Sequence, residues 1–335
     1  MKLEQRVEAV AAHGFTQRQA RFLVTVMLHS GVCMRRHYSE FAGLVHGQKT
    51  REFFDTLVSR RFATAYPCAH GRARLFHIHH RRLYDAIGEP DNRNRRPTPL
   101  PRAIERLMLL DAVMAAPGLT WLGTERDKLE HFTLLLRGRL ERHELPRLVF
   151  DGRASSRTRY FPDKLPIGID ADGQTHVFAY LVTRSAPVDF RQFLHRHAEL
   201  LRALPRWTVR LVIPGHLAQA AGAYESAWRE ELGAPLRPGV VEELRWYFEQ
   251  RRRVESAAGE RREVIDEPRF RAAGDAFRAP RFRALYRSWI RDGDRVIDAA
   301  CSPVLADAIA RHAGRLERQV LAHRYLHLSP LVATA

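Results

Sequence analysis

The feature that most constrains the fold is a change of period inside residues 46–80, HGQKTREFFDTLVSRRFATAYPCAHGRARLFHIHH. Over 48–60 the apolar residues Phe53, Phe54, Leu57 and Val58 recur at helical spacing. Residues 62–66 and 74–79 then read as strands, joined through the turn residues of 67–71. Upstream, Thr16 and Gln19 form a Thr-x-x-Gln capping box, in which two side chains satisfy backbone donors at a helix start. Ala20, Phe22, Leu23, Val26 and Met27 follow at helical spacing, and Gly31 ends that helix. A second short helix is expected over 35–44, burying Tyr38, Phe41 and Ala42, with a turn over 43–47. Helix, helix, helix, hairpin is the element order of a winged helix, expected to occupy residues 1–88.

In helix-turn-helix geometry the second helix of the pair enters the major groove. Here that helix carries Gln48, Lys49, Thr50 and Arg51, the expected base-reading residues. Arg72 and Arg74 flank the turn of the hairpin and are expected to meet phosphates, which position a protein without reading sequence. Cations in a first helical turn oppose the helix dipole, so Lys49 and Arg51 do not owe their place to helix stability. Charge points the same way. Lys+Arg total 55 against 38 Asp+Glu, a net charge of +17, which favours a polyanionic partner, chiefly nucleic acid, and the winged-helix order leans to double-stranded DNA. Only Lys2, Lys49, Lys128 and Lys164 are lysines; the rest are arginines, whose planar fork suits phosphate and guanine.

Residues 89–101, EPDNRNRRPTPLP, read as an extended Pro/Arg-rich linker in which Arg95 and Arg96 are candidate phosphate contacts. Cys33, Cys68 and Cys301 are odd in number and far apart, which argues against a disulfide framework. Cys68, His70, His77, His79 and His80 fit no common zinc spacing and read as turn and strand residues. No metal and no cofactor is expected. No apolar run reaches the roughly eighteen residues of a membrane span. The first residues lack the apolar stretch of a secretory signal, so the expected location is cytoplasmic, with no membrane partner.

Residues 102–235 read as an α/β domain. LPRLVF (145–150), RYFPDKLPIGID (159–170) and HVFAYLVTR (176–184) are expected as successive strands. An amphipathic helix follows over 189–204, with His197 a core histidine, then the strand RWTVRLVIPG (206–215) and a helix over 216–232. Helix, three strands, helix, strand is the core order of restriction-endonuclease-like nucleases. Those enzymes hold a divalent metal with one acid and an (Asp/Glu)-x-Lys pair on the next strand. Pro162 and Asp163 supply something like the first element; HVFAYLVTR has no Asp, Glu or Lys to supply the second. Oxygen ligands for magnesium, and hence an activated water, are missing at that place.

A winged helix followed by a degenerate nuclease-like domain resembles the replication-relaxation proteins of plasmids and integrated mobile elements. The likeness covers about residues 13–232, by element order and by fragments such as LVSRRF, PDKLPIG and RLVIPG. It implies DNA binding without catalysis and a role in maintenance of a mobile element. The runner-up is a metal-dependent nuclease with displaced acids such as Asp163, Asp170 and Asp172. A third reading is a protein-binding scaffold that uses the C-terminal helices. Residues 236–335 are expected to be helical and basic. Phe282, Leu285, Tyr286 and Trp289 should pack inward, and the tail 311–327 should be a packing or dimer helix, making a second copy a partner. The fold class expected for the whole is α+β.

Overall fold

The structure, a computed structural model, describes residues 1–45, 47–68, 73–151, 156–256, 266–325 and 328. It is a mixed α+β protein with several sheets. The first elements are α1 (Leu3–Ala11), α2 (Gln17–His29), β1 (Val32–Cys33), α3 (Arg35–Ala42), α4 (Gln48–Ser59), β2 (Ala63–Pro67), β3 (Arg74–Ile78) and α5 (Arg81–Ala86). The capping box forms as the sequence predicts: Gln19 N donates to Thr16 Oγ1 at 3.3 Å, and Thr16 N to Gln19 Oε1 at 3.0 Å. The strands make an antiparallel sheet in the order β1-β3-β2. Its helices bury an aromatic cluster in which Phe54 stacks near Phe76 and Tyr38 near Phe53.

Residues 89–101 are not an extended solvated linker. Arg93–Arg95 form a 3₁₀ turn, and the Asn94 side chain is buried, donating to the carbonyls of Met27 and Leu28 at 3.0 and 3.1 Å. Those carbonyls lie in the last turn of α2, where no intrahelical donor is left for them. A Cβ on Gly31 would stand 2.3 Å from the Asn94 carbonyl oxygen, and Gly31 has φ +74°. Only glycine allows both the left-handed backbone and that approach.

The chain continues through α6 (Leu100–Met114), β4 (Thr120–Leu122), α7 (Glu125–Leu135), β5 (Arg147–Asp151), β6 (Ser156–Tyr160), β7 (Ile167–Ile169), β8 (Thr175–Leu181), α8 (Val188–Ala203) and β9 (Arg206–Ile213). Then come α9 (Ala221–Leu232), α10 (Pro238–Ser256), α11 (Glu267–Ala276), α12 (Pro280–Asp292), α13 (Arg295–Cys301), α14 (Val304–Ala310) and β10 (Gly314–Val320). The central sheet runs β10-β9-β8-β7-β4; β8, β9 and β10 are parallel, and β7 and β4 are antiparallel to their neighbours. Side chains alternate along β8. Phe178 and Tyr180 enter the core under α8 and α9, while Ala179 and Leu181 meet α6 on the other face. His197 lies in the first of these cores, its Nδ1 2.9 Å from the Phe193 carbonyl.

Two expectations about strands are corrected. First, 145–150 does not join the central sheet: β5 and β6 pair only with each other. The chain breaks after β6 over residues 161–166, where Pro162 and Pro166 lack donors for a ladder. Second, the tail is no helix. Gly314–Val320 is the fifth strand, parallel to β9 with Leu316 opposite Val209. As an edge strand it carries charges outward, and Glu317 pairs with Arg210 at 3.0 Å. That polarity hid its strand character. The helical segment between β9 and β10 matches its expectation: Leu285, Tyr286 and Trp289 are buried with Phe248, and Phe282 packs against them.

The buried carboxylate of Asp111 on α6 joins the pieces. Arg36 donates two bonds to it, at 2.6 and 2.7 Å, His37 Nε2 stands at 3.1 Å, and the Tyr325 hydroxyl donates from beyond β10. Burial alone would raise this carboxyl; the hydrogen bonds from Arg36 and His37 outweigh it and hold it well below the usual range. Asp111→Ala leaves buried His37 without its partner and half-buried Arg36 with Glu40 alone, and should cost about 3–5 kcal/mol in denaturant titration. A loss below about 1 kcal/mol would show that the cluster carries no such weight.

Acid should act through histidines before carboxylates. Burial pulls both His29 and His197 down to about 4, with the Lys128 charge adding to the effect at His29. Their folded pKa values lie below the unfolded value near 6.5, so the unfolded chain binds more protons between those limits. The histidine contribution should be full above about pH 6.5 and fall toward pH 4, each histidine contributing a slope approaching about 1.4 kcal/mol per pH unit. Urea midpoints at pH 7.5 and 5 measure this; equal midpoints would contradict it.

Candidate nucleic-acid interface

The α3–α4 pair is set by the sequence between the helices. Gly43 closes α3 in the left-handed region, φ 63°, and Leu44 N returns to the Ser39 carbonyl at 2.8 Å. His46, in the turn, is outside the described residues. Gly47 then starts α4 with no side-chain cap and no acid in the first turn. Three contacts fix the helices against each other: Arg35 to Asp55 at 3.2 Å, the Ser39 and Thr50 hydroxyls at 3.2 Å, and the rings of Tyr38 and Phe53 at 4.5 Å.

This geometry divides the expected base-reading residues. Gln48, Lys49 and Arg51 are exposed on the outer face of α4. Gln48 is held along the helix by Glu52, Nε2 to Oε1 2.7 Å. Among the described residues the Lys49 and Arg51 side chains have no carboxylate partner. Thr50 is corrected: it is 3% exposed and faces Ser39, so it cannot reach a groove. The sequence held the signal for this. Thr50, Phe53, Phe54 and Leu57 recur at i, i+3, i+4 and i+7, the inward stripe of one helix.

Arg74 is exposed at the start of β3, opposite Pro67 at the turn end of the hairpin. Arg72 lies outside the described residues, as does His70. Arg95 is corrected in part: it is half-buried, and its Nε donates to the Pro90 carbonyl at 3.0 Å. Arg96 is exposed beside the docked Asn94. His77 in β3 and His79 just after it have ordinary partners: His77 Nε2 lies 2.9 Å from the Asn94 carbonyl and His79 Nε2 2.9 Å from Thr64 Oγ1. No family model, curated protein or solved structure matches the chain.

Chemically, the α4 front offers amide N–H groups that no side chain caps, the positive end of a helix dipole and two exposed cations. Such an arrangement suits phosphate oxygens and base edges. Among the described residues the acids of the nuclease alternative do not form a three-ligand cluster, although Asp170 and Asp172 lie side by side. Asp163 is taken by Arg196, Asp170 accepts Thr175 N at 3.1 Å, and Asp172 pairs with Arg206 at 2.7 Å. Among the described residues the one cluster with ligand atoms close enough for a metal is Glu40, Asp111 and His323. There the Asp111 oxygens are already bound by Arg36, whose charge opposes a cation. Ser288, His195 and Glu231 are connected like a nucleophile, base and orienting acid, at 3.0 and 2.8 Å. Ser288 is fully buried, however, and Glu231 also receives Arg191, so the group locks α8, α9 and α12 together.

The two faces of α4 should separate cleanly in thermal melts. Lys49→Ala and Arg51→Ala should change stability by no more than about 0.5 kcal/mol. Thr50→Arg forces a cation against Ser39 and should cost several times that. Equal effects would place Thr50 at the surface.

Proposed function

We propose that this chain binds double-stranded DNA without catalysing a reaction on it, as a winged-helix protein: α4 enters the major groove and the β2–β3 hairpin lies on the backbone. One observation carries the reading. Lys49 and Arg51 project from the uncapped front of α4, exposed and without a carboxylate partner among the described residues, on a chain of net charge +17. The rest of the unit supports it: β1 between α2 and α3, then α4 and the hairpin, is the element order such domains use. The central sheet and its helices serve as a scaffold, in keeping with a nuclease-like core that has lost its metal-binding acids. The resemblance to replication-relaxation proteins supports a role as regulator or maintenance factor of a plasmid or integrated element. No helix among the described residues is long and apolar enough to cross a membrane.

Fluorescence anisotropy of the full chain on duplex DNA tests the reading. Each neutralised phosphate contributes about −0.9 to the slope of log K against log salt, so several engaged cations give roughly −3 to −6. Arg51→Ala should lose about 1–3 kcal/mol of preference for a selected site over random duplex. Arg74→Ala should weaken both alike and reduce the slope by about 1. A flat salt response, or both variants binding like the parent, would remove the proposal.

A further inference from the structure

A second cluster of cations stands apart from Gln48, Lys49, Arg51 and Arg74. A cleft of about 620 Å³ opens between the 89–96 segment, α7, the β5–β6 ribbon and the turn that follows it. Six cations line it: Arg93, Arg96, Lys128, Arg157, Arg159 and Lys164. Two of the chain's four lysines therefore meet in one place. They arrive from separate segments, so no spacing in the sequence announced them.

The cluster is built rather than incidental. Arg93 donates to the Lys164 carbonyl at 2.9 Å and Lys128 Nζ to the Leu165 carbonyl at 2.6 Å, which fixes the turn against both neighbours. Phe161 and Lys164 hold left-handed backbone, φ 45° and 59°, a conformation that costs non-glycine residues energy. Lys128 is 2% exposed, with its ammonium 5.7 Å from the Phe161 ring centre. None of the six cations forms an ion pair with a described carboxylate. The acids lining the cleft are Glu89, Asp91 and Glu125; Glu89 accepts from Asn92 at 3.2 Å and Glu125 from Tyr160 N at 2.9 Å. Charge without a counter-ion has a measurable consequence. Burial, with repulsion from neighbouring arginines, pulls Lys128 down to about 7, Lys164 to about 8 and Arg93 to about 9. An anion in the cleft relieves that repulsion.

The wall also carries an apolar ring. Phe150 is 52% exposed, and across the ribbon it stands opposite Arg157. Arginine forks with an exposed aromatic are the combination that grips phosphate and stacks a base. The volume falls in the range of small-ligand sites, about 300–1,000 Å³.

We propose that this cleft binds the phosphate groups of a nucleotide, free or at the end of a nucleic-acid strand, with Phe150 against the base. The proposal does not depend on duplex reading by α4, and the variants separate the two. Titration calorimetry of the full chain with pyrophosphate, ATP and a short 5′-phosphorylated oligothymidylate supplies the test. Pyrophosphate and ATP should bind. Arg159→Ala and Lys164→Gln should each weaken both by about tenfold, the size of one lost charge-assisted hydrogen bond. Phe150→Ala should weaken ATP and spare pyrophosphate. Arg51→Ala should change neither, although it impairs duplex binding. Competition of the oligothymidylate with ATP would identify a strand end as an occupant; binding of ATP alone would identify a free nucleotide. The proposal falls if none of the three probes binds. It falls equally if Arg237→Ala, an exposed arginine outside the cleft, weakens binding as much as Arg159→Ala does. Arg159 is exposed, so its loss leaves the fold intact to report the result.

Discussion

The Asp111 carboxylate is the joint on which the arrangement depends. A buried carboxylate is tolerated only when its lone pairs are filled, and this one is filled by Arg36 and His37 from α3 and by Tyr325 from beyond β10. Two of the three donors come from near the start of the chain and one from near its end. Satisfying them fixes where α3 sits relative to α6, and through the Arg35–Asp55 pair and the Ser39–Thr50 contact it fixes α4 as well. The outward aim of Lys49 and Arg51 thus traces back to a carboxylate on a helix that carries no candidate DNA contact.

Around that joint, α6 works as a shared spine. Leu110 packs into the core of the first unit, while Ala103, Ile104 and Leu107 pack with Val32 and Leu75 on one side and with Ala179, Leu181 and Val212 of the central sheet on the other. Apolar burial on both sides of one helix makes the units a continuous body, since neither face of α6 can be returned to water without losing the contacts of the other. The basic cleft is a product of the same docking. Asn94 pins the 89–96 segment under α2, and that brings Arg93 and Arg96 to the mouth of a site whose other cations belong to the central unit.

Ion pairing sorts the excess positive charge. Many arginines are held in pairs that anchor elements, such as Arg196 with Asp163, Arg191 with Glu231 and Arg269 with Glu243. Arg251 and Arg252 lie over the rings of Tyr286 and Trp289, covering the helical segment rather than offering it to a ligand. At the α4 front and in the cleft, Lys49, Arg51 and the six cleft cations stand without a carboxylate partner among the described residues, and there several such charges share one surface feature.

The sequence by itself determined the elements with strong local rules. The Thr16–Gln19 cap, the aromatic stripe of α4, the hairpin, and the inward packing of Leu285, Tyr286 and Trp289 all follow from spacing and capping, interactions within a few residues. Thr50 was legible in the same periodicity, its hydroxyl merely disguising its place on the buried stripe. Only the tertiary structure decided the rest. β10 is a strand because β9 offers it a ladder; its own charged sequence specifies no element. Asn94 is a plug and not a linker residue because the open carbonyls at the end of α2 lie above it. Arg93, Lys128, Arg159 and Lys164 form a cleft because three segments well separated in sequence, 89–96, α7 and 157–164, pack together, and like charges gathered that way have no local pattern to betray them.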